Sequence, residues 1–208
     1  MGTARDVGTT LAVALIPLAL LSGCGATPGE PGAAPSPPAS AEPTPTTTPT
    51  PTPTPVEFRM PTACAELLPP ERIADLEAVG MELLAGPDGK YGDAYLADPT
   101  PEQQVGGMTC IWGEEQVPEN SVTVSVASLD AATHDEVVAA LVAQGLNTRT
   151  EGDAVVYERV GDEIAAPAIV NLLREDSWIS VIEGLGGTAF HEEAVDIAAE
   201  VETQLGAR

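Results

Sequence analysis

Hydrophobic and polar positions divide the chain into three unlike stretches. Leu11 to Leu21, LAVALIPLALL, is an apolar run broken only by Pro17. It is shorter than the roughly 20 apolar residues of a spanning helix and has the length of the apolar centre of a secretory signal. Residues 25–55 carry no large apolar side chain; eleven of these 31 residues are proline and eight are threonine. Such a segment cannot bury enough surface to offset chain entropy. From residue 56 onward, apolar periodicity returns and persists. The predicted organisation is therefore a signal peptide over 1–23, a disordered Pro/Thr-rich stalk over 24–55, and one globular domain over 56–208. That last length is ordinary for a domain with one core.

Within 56–208 the period changes repeatedly. Thr62–Leu68 and Pro70–Val79 read as short helices, the second opened by Pro70, with Ile73, Leu76 and Val79 at helical spacing. Residues 86–107 hold turn formers and little periodicity, which predicts a long loop. MTCIWG, Met108–Gly113, reads as a strand. Val122, Val124 and Val126 alternate with Thr123, Ser125 and Ala127, which predicts a strand with one buried face. Thr133 and Glu136 have capping-box spacing ahead of Val137, Val138, Leu141 and Val142, and Gly145 ends that helix. Strands follow at Ala154–Val160, Ala168–Arg174 and Trp178–Glu183, the last two joined tightly enough to form an antiparallel hairpin. Phe190, Ala194, Ile197, Val201 and Leu205 form the apolar stripe of a closing helix. Runs of strands joined by tight turns predict an α+β domain: an antiparallel sheet of about five strands with helices packed on it.

Charge narrows the partners. Residues 56–208 carry 29 acidic side chains against six arginines and one lysine, a formal charge of −22. A surface of that sign repels nucleic acid and anionic lipid heads, so no nucleic-acid partner is expected. A cationic partner is compatible with it. A solvated face that only keeps the domain soluble is the preferred reading of that charge.

The three cysteines settle the expected address. Leu21, Ser22, Gly23 and Cys24 follow the apolar run directly and resemble the lipobox of bacterial lipoproteins. The resemblance implies a diacylglyceryl group on the Cys24 sulfur and cleavage before it. Acyl chains add roughly 0.8 kcal/mol per buried methylene, enough for two or three chains to hold a protein on a bilayer. The membrane link is then the lipid, on the outer face of the cell membrane, not the acidic domain. Proline favours polyproline II at about 3.1 Å per residue, so the 25–55 tract reaches roughly 90 Å when extended. Its Thr-Pro repeats resemble O-glycosylated stalks, with a bare linker as the alternative. Secreted chains fold in an oxidising compartment, and with Cys24 lipidated the remaining pair is Cys64 and Cys110. No Cys-x-x-Cys pair or neighbouring histidine favours a metal there.

CAELLPPERIADL followed by CIW resembles a group of actinobacterial secreted lipoproteins of unknown function. Cys64, Leu67, Leu68, Cys110 and Trp112 carry the likeness, behind the same lipobox and stalk layout. It implies a disulfide from the first helix to the first sheet strand, with Trp112 packed near it. Related sensor domains of membrane kinases have a similar look, but this chain has neither their kinase nor their spanning helix.

Chemistry-bearing motifs are sparse. His134 beside Asp135 and Glu136, and His191 beside Glu192 and Glu193, stand in first helical turns, where capping and the helix dipole explain the acids. His-Glu-Glu lacks the second histidine of a zinc-protease helix. There is no Gly-x-Ser-x-Gly elbow and no phosphate loop. Gly184, Gly186 and Gly187 precede a helix and fit an anion cradle less well than a plain turn. Asp88, Asp93 and Asp98 are five apart, which is not the spacing of a calcium loop. Tyr91 and Tyr95, in the long loop, are the best candidates for an exposed contact surface, because tyrosine binds through ring and hydroxyl alike. The preferred reading of the pair is that they simply pin the loop to the domain. No catalytic, cofactor or metal residues are assigned. The expected function is a non-enzymatic binding or interaction module of the cell envelope, whose partner is an envelope protein or small ligand. A carrier of a small apolar ligand or lipid is the alternative, and a histidine-dependent envelope hydrolase comes third.

Overall fold

A computed structural model describes residues 58–206. The leader, Cys24 and the Pro/Thr tract, on which the expectations of lipidation and a stalk fall, lie outside the described residues. A 3-10 turn at Cys64–Glu66 leads into α1 (Pro70–Ala78), β1 (Glu82–Ala85), α2 (Pro101–Gln104), β2 (Met108–Glu114) and β3 (Val117–Ser128). Then come α3 (Ala131–Ala143), β4 (Asn147–Glu151), β5 (Ala154–Arg159), β6 (Ile169–Leu173), β7 (Ser177–Glu183) and α4 (Thr188–Leu205).

The strands form one antiparallel sheet in the order β1-β2-β3-β7-β6-β5-β4. Strands β1 to β3 make a meander. Helix α3 carries the chain to the far edge, and β4 to β7 meander back until β7 pairs with β3. The α+β class is as expected, but the sheet has seven strands rather than five. The two additional strands are its edges. Glu82–Ala85 is only four residues long, and Asn147–Glu151 (NTRTE) has no apolar position at all. Both are strands because neighbouring backbones pair with them. The polar, charged character of β4 suits an edge, where it discourages pairing with another chain.

One sheet face holds the main core. Cys110, Trp112, Val122, Val124, Val126, Val156, Val170, Leu172, Ile179 and Val181 pack there against Leu67, Leu68, Leu76 and the α4 stripe. In that stripe Ala194, Ile197, Val201 and Leu205 are buried, as its spacing predicts. Arg72 on α1 ties the two covering helices together, pairing with Glu200 at 2.8 Å and Glu193 at 3.3 Å. Cys64 and Cys110 form the disulfide across 46 positions, and Trp112 shares their cluster. Gly86 passes beside this bond at φ +97°. A Cβ there would stand 2.5 Å from the Thr109 carbonyl oxygen and 2.7 Å from the Cys64 sulfur, so no larger residue fits.

The opposite face corrects three readings. It is not solvated: α3 covers Ala127, Leu173, Tyr157 and Trp178 through Val137 and Leu141, and α2 lies over β2 and β3. The 86–107 segment is not simply a loop, for it contains a 3-10 turn at Gly92–Tyr95 and α2 itself. Helix α3 starts earlier than the Thr133–Glu136 pattern suggests. Asp130 is its cap, accepting the Thr133 backbone N–H at 2.9 Å. Val79 and Val142, placed on apolar faces by spacing, are exposed: Val79 is the residue that follows α1, and Val142 lies off the face of α3 that buries Val137 and Leu141.

Candidate functional site

The structure stacks Tyr91 against Tyr95 and leaves both accessible. The 3-10 turn at Gly92–Tyr95 sets the rings 5.8 Å apart in a stack, with 39% and 41% of the two residues exposed. The turn packs on β1, where Lys90 N–H and Tyr91 N–H donate to the Leu83 and Leu84 carbonyls. Glu115, in the β2–β3 turn, takes a hydrogen bond from the Tyr91 hydroxyl and another from Lys90 at 2.9 Å. Bonding to that carboxylate raises the Tyr91 phenol above its ordinary pKa, and the same contacts lower Glu115. Lys90 also lies over the Tyr91 ring, 5.6 Å from its centre. Pinning and display are thus both present: backbone bonds fix the loop, and the rings face outward above a shallow recess lined by Ala94, Glu115 and Gln116.

The histidines have carboxylate partners. His134 Nδ1 is 3.7 Å from Asp135, while His191 Nε2 on α4 is 3.3 Å from Glu158 on β5. The Gly184, Gly186 and Gly187 N–H groups donate to the Ser121, Asp162 and Val160 carbonyls, which makes this segment a bonded turn, not an anion cradle. Among the described residues no group of three or more His, Cys, Asp or Glu side chains is placed to hold a metal ion, so Asp88, Asp93 and Asp98 do not converge.

Sequence reasoning missed two buried carboxyls. Glu102 on α2 is 5% exposed and faces the sheet, where Ser180 and Thr100 hydroxyls and its own backbone N–H bond to it. Burial pushes its pKa up, against those bonds. Beneath it runs a row of polar side chains across four strands: Thr109 opposite Ser125, Ser125 opposite Ser180, and Ser180 opposite Asn171. All four are nearly inaccessible. Hydroxyls link Thr100 to Thr109 at 2.7 Å and Thr109 to Ser125 at 2.9 Å, and Trp178 Nε1 donates to Asn171 Oδ1 at 3.0 Å. Between α2, the end of α3 and this row is a cleft of about 120 Å³. The start of α2, though not the inward turn of Glu102, has a signal in TPEQ: Thr100 and Gln103 form a capping box with Pro101 in the first helical position. Glu183, on the main-core face of β7, is the second. It is 5% exposed and its Oε1 meets no donor. Burial, with the nearby Glu193 charge, pushes its pKa up to about 8 despite Arg72. WISVIE places it in register with Ile179 and Val181, on the most buried side of the strand.

Compared with family models, curated proteins and solved structures, the chain matches none.

Proposed function

We propose that this chain is a lipid-tethered binding module of the cell envelope, with no enzymatic activity, which meets a basic protein partner through Tyr91 and Tyr95. The observation that carries the reading is the pair of stacked, outward rings fixed to a rigid sheet edge. Rigid aromatic side chains lose little entropy on binding and dominate contact energetics. The domain's charge of −22 and the Glu115 carboxylate beside the rings favour a partner rich in arginine or lysine. Display on the outer membrane face follows from the Cys24 lipid and the 25–55 stalk. Among the described residues no helix is long and apolar enough to cross a membrane. The carrier reading lacks comparable support: the cleft over the sheet, about 120 Å³, is well below the roughly 300–1,000 Å³ of ordinary ligand pockets, and the wider recess at Tyr91 and Tyr95 is a shallow surface feature that encloses nothing.

A photo-crosslinking side chain at exposed Ala94, between the rings, tests the contact on intact cells. The expected result is a discrete protein adduct that is absent when the probe sits at exposed Val142 on α3. It disappears in the double variant Tyr91→Ser, Tyr95→Ser. Because the loop is held by backbone bonds, that variant stays folded, with a melting temperature lower by only a few degrees for the lost ring contacts. Equal adducts from positions 94 and 142, or an adduct indifferent to loss of the rings, contradicts the proposal.

A further inference from the structure

The cleft over the sheet has a composition of its own. Its walls are Pro101, Leu141, Ile169, Trp178 and Ile182; its polar groups are Glu102, Thr100, Thr123, Ser125, Ser180, Asn171 and Gln144. No lining side chain is basic. The mouth is open, because Pro101 and Gln144 are exposed and Thr100, Thr123, Ile169 and Ile182 are half-buried. Arg159 reaches the rim, where it donates to the Gln144 carbonyl at 3.4 Å, but it does not line the cleft.

We propose that this cleft binds a primary alkylammonium group, its nitrogen against Glu102 and its methylene stem against Ile169, Ile182, Leu141 and Trp178. Four arguments converge. An ammonium has three donors and no acceptor, and the cleft floor offers acceptors: the remaining lone pairs of the Glu102 carboxylate and the Ser125 and Ser180 hydroxyl oxygens. A carboxylate held away from water without a cation is costly, and a ligand carrying one positive charge offsets part of that cost where its remaining donors are also met. The volume, about 120 Å³, is close to that of a cavity known to hold one benzene ring, so it suits a stem of a few carbons and excludes a bulky group. The charge of −22 concentrates cations near the mouth. A free short amine and the end of a lysine side chain present the same group. The site is separate from the tyrosine face and does not depend on it.

The test is a methyl and indole NMR titration of the full mature chain carrying Cys24→Ser, which leaves it soluble. Probes are n-butylammonium, the neutral isostere 1-butanol, and Nα-acetyl-lysine methylamide. Butylammonium is expected to give saturable shifts at Ile169, Ile182, Leu141 and Trp178, with a Kd on the order of 1 mM for so small a ligand. Butanol binds at least tenfold more weakly. Glu102→Gln, which retains shape, loses at least tenfold in butylammonium affinity and leaves the butanol shifts unchanged. Ile182→Phe, which fills the cleft from a half-buried position, abolishes both sets. Tyr91→Ser with Tyr95→Ser changes neither. Matching shifts from the lysine probe identify a polymer-borne amine as the source, and shifts from butylammonium alone identify a free one. Butanol binding as well as butylammonium, wild-type affinity in Glu102→Gln, or no saturable shift from either amine overturns the proposal.

Discussion

Replacing Cys64 and Cys110 together by alanine is expected to lower unfolding free energy by about 4 kcal/mol, the loop-closure value for 46 residues. Domains of this size are stable by only about 5–15 kcal/mol, so the loss is a large fraction of the total. The fold explains why the bond matters at this place. Cys64 stands in an isolated 3-10 turn, and the chain around it carries Leu67 and Leu68, both almost wholly buried in the main core. Without the link to β2, that segment is held by packing and by the Arg59 N–H bond to the Leu205 carbonyl at 3.1 Å. The truncated sulfurs also leave unfilled volume, which adds to the loss. Urea unfolding of the oxidised protein and the double variant measures the difference. A loss below about 1 kcal/mol contradicts this view of the N-terminal segment.

Glu183→Gln is expected to stabilise the domain by about 3 kcal/mol at pH 8 and by far less at pH 5. The folded-state pKa of Glu183 is about 8, against roughly 4.3 in an unfolded chain. Below both values the side chain is neutral in either state and imposes no charge penalty. As pH rises, the unfolded chain releases its proton and the folded one keeps it, so stability falls from about pH 4.5 to pH 8. Each unit of difference is worth about 1.4 kcal/mol, which puts the ceiling near 5 kcal/mol; the glutamine amide still needs hydrogen bonds in the same place, and this reduces the gain. Arg72 and Glu193 are the charged neighbours that oppose and reinforce the shift. Glu102, also raised by burial, leaves a slope of the same sign in the variant. Unfolding curves at pH 5 and pH 8 decide the matter. Equal pH dependence in the variant and the parent protein rules out Glu183 as the source.

The sequence made long, patterned elements legible and concealed those formed by tertiary context. The alternation around Val122–Ala127, the hairpin through Glu175–Ser177 and the stripe from Phe190 to Leu205 each follow a period that packing enforces. Strands β1 and β4 follow none: one is four residues long and the other entirely polar, and only pairing with β2 and β5 makes them strands. The alternation in β3 predicts one buried face and no more, because it cannot distinguish water from a polar row under two helices. Ser125 is buried opposite Ser180, and their hydroxyls belong to a network assembled from four strands and α2. The tyrosines were legible because aromatic residues are rare in this chain and two fall four apart in a loop. Glu102 was not, because nothing within DPTPEQQ reports that its carboxyl turns inward.

The accessibility of the tyrosine face to a partner, and the oxidising compartment the Cys64–Cys110 bond requires, both depend on where the chain is held. Fractionation of cells expressing Cys24→Ser settles this. If a lipid on Cys24 is the tether, the parent protein sediments with membranes and the variant, unable to be acylated, passes into the medium or the soluble envelope fraction. Retention of the variant in the membrane pellet to the parent's extent would mean that something other than this lipid holds the domain there.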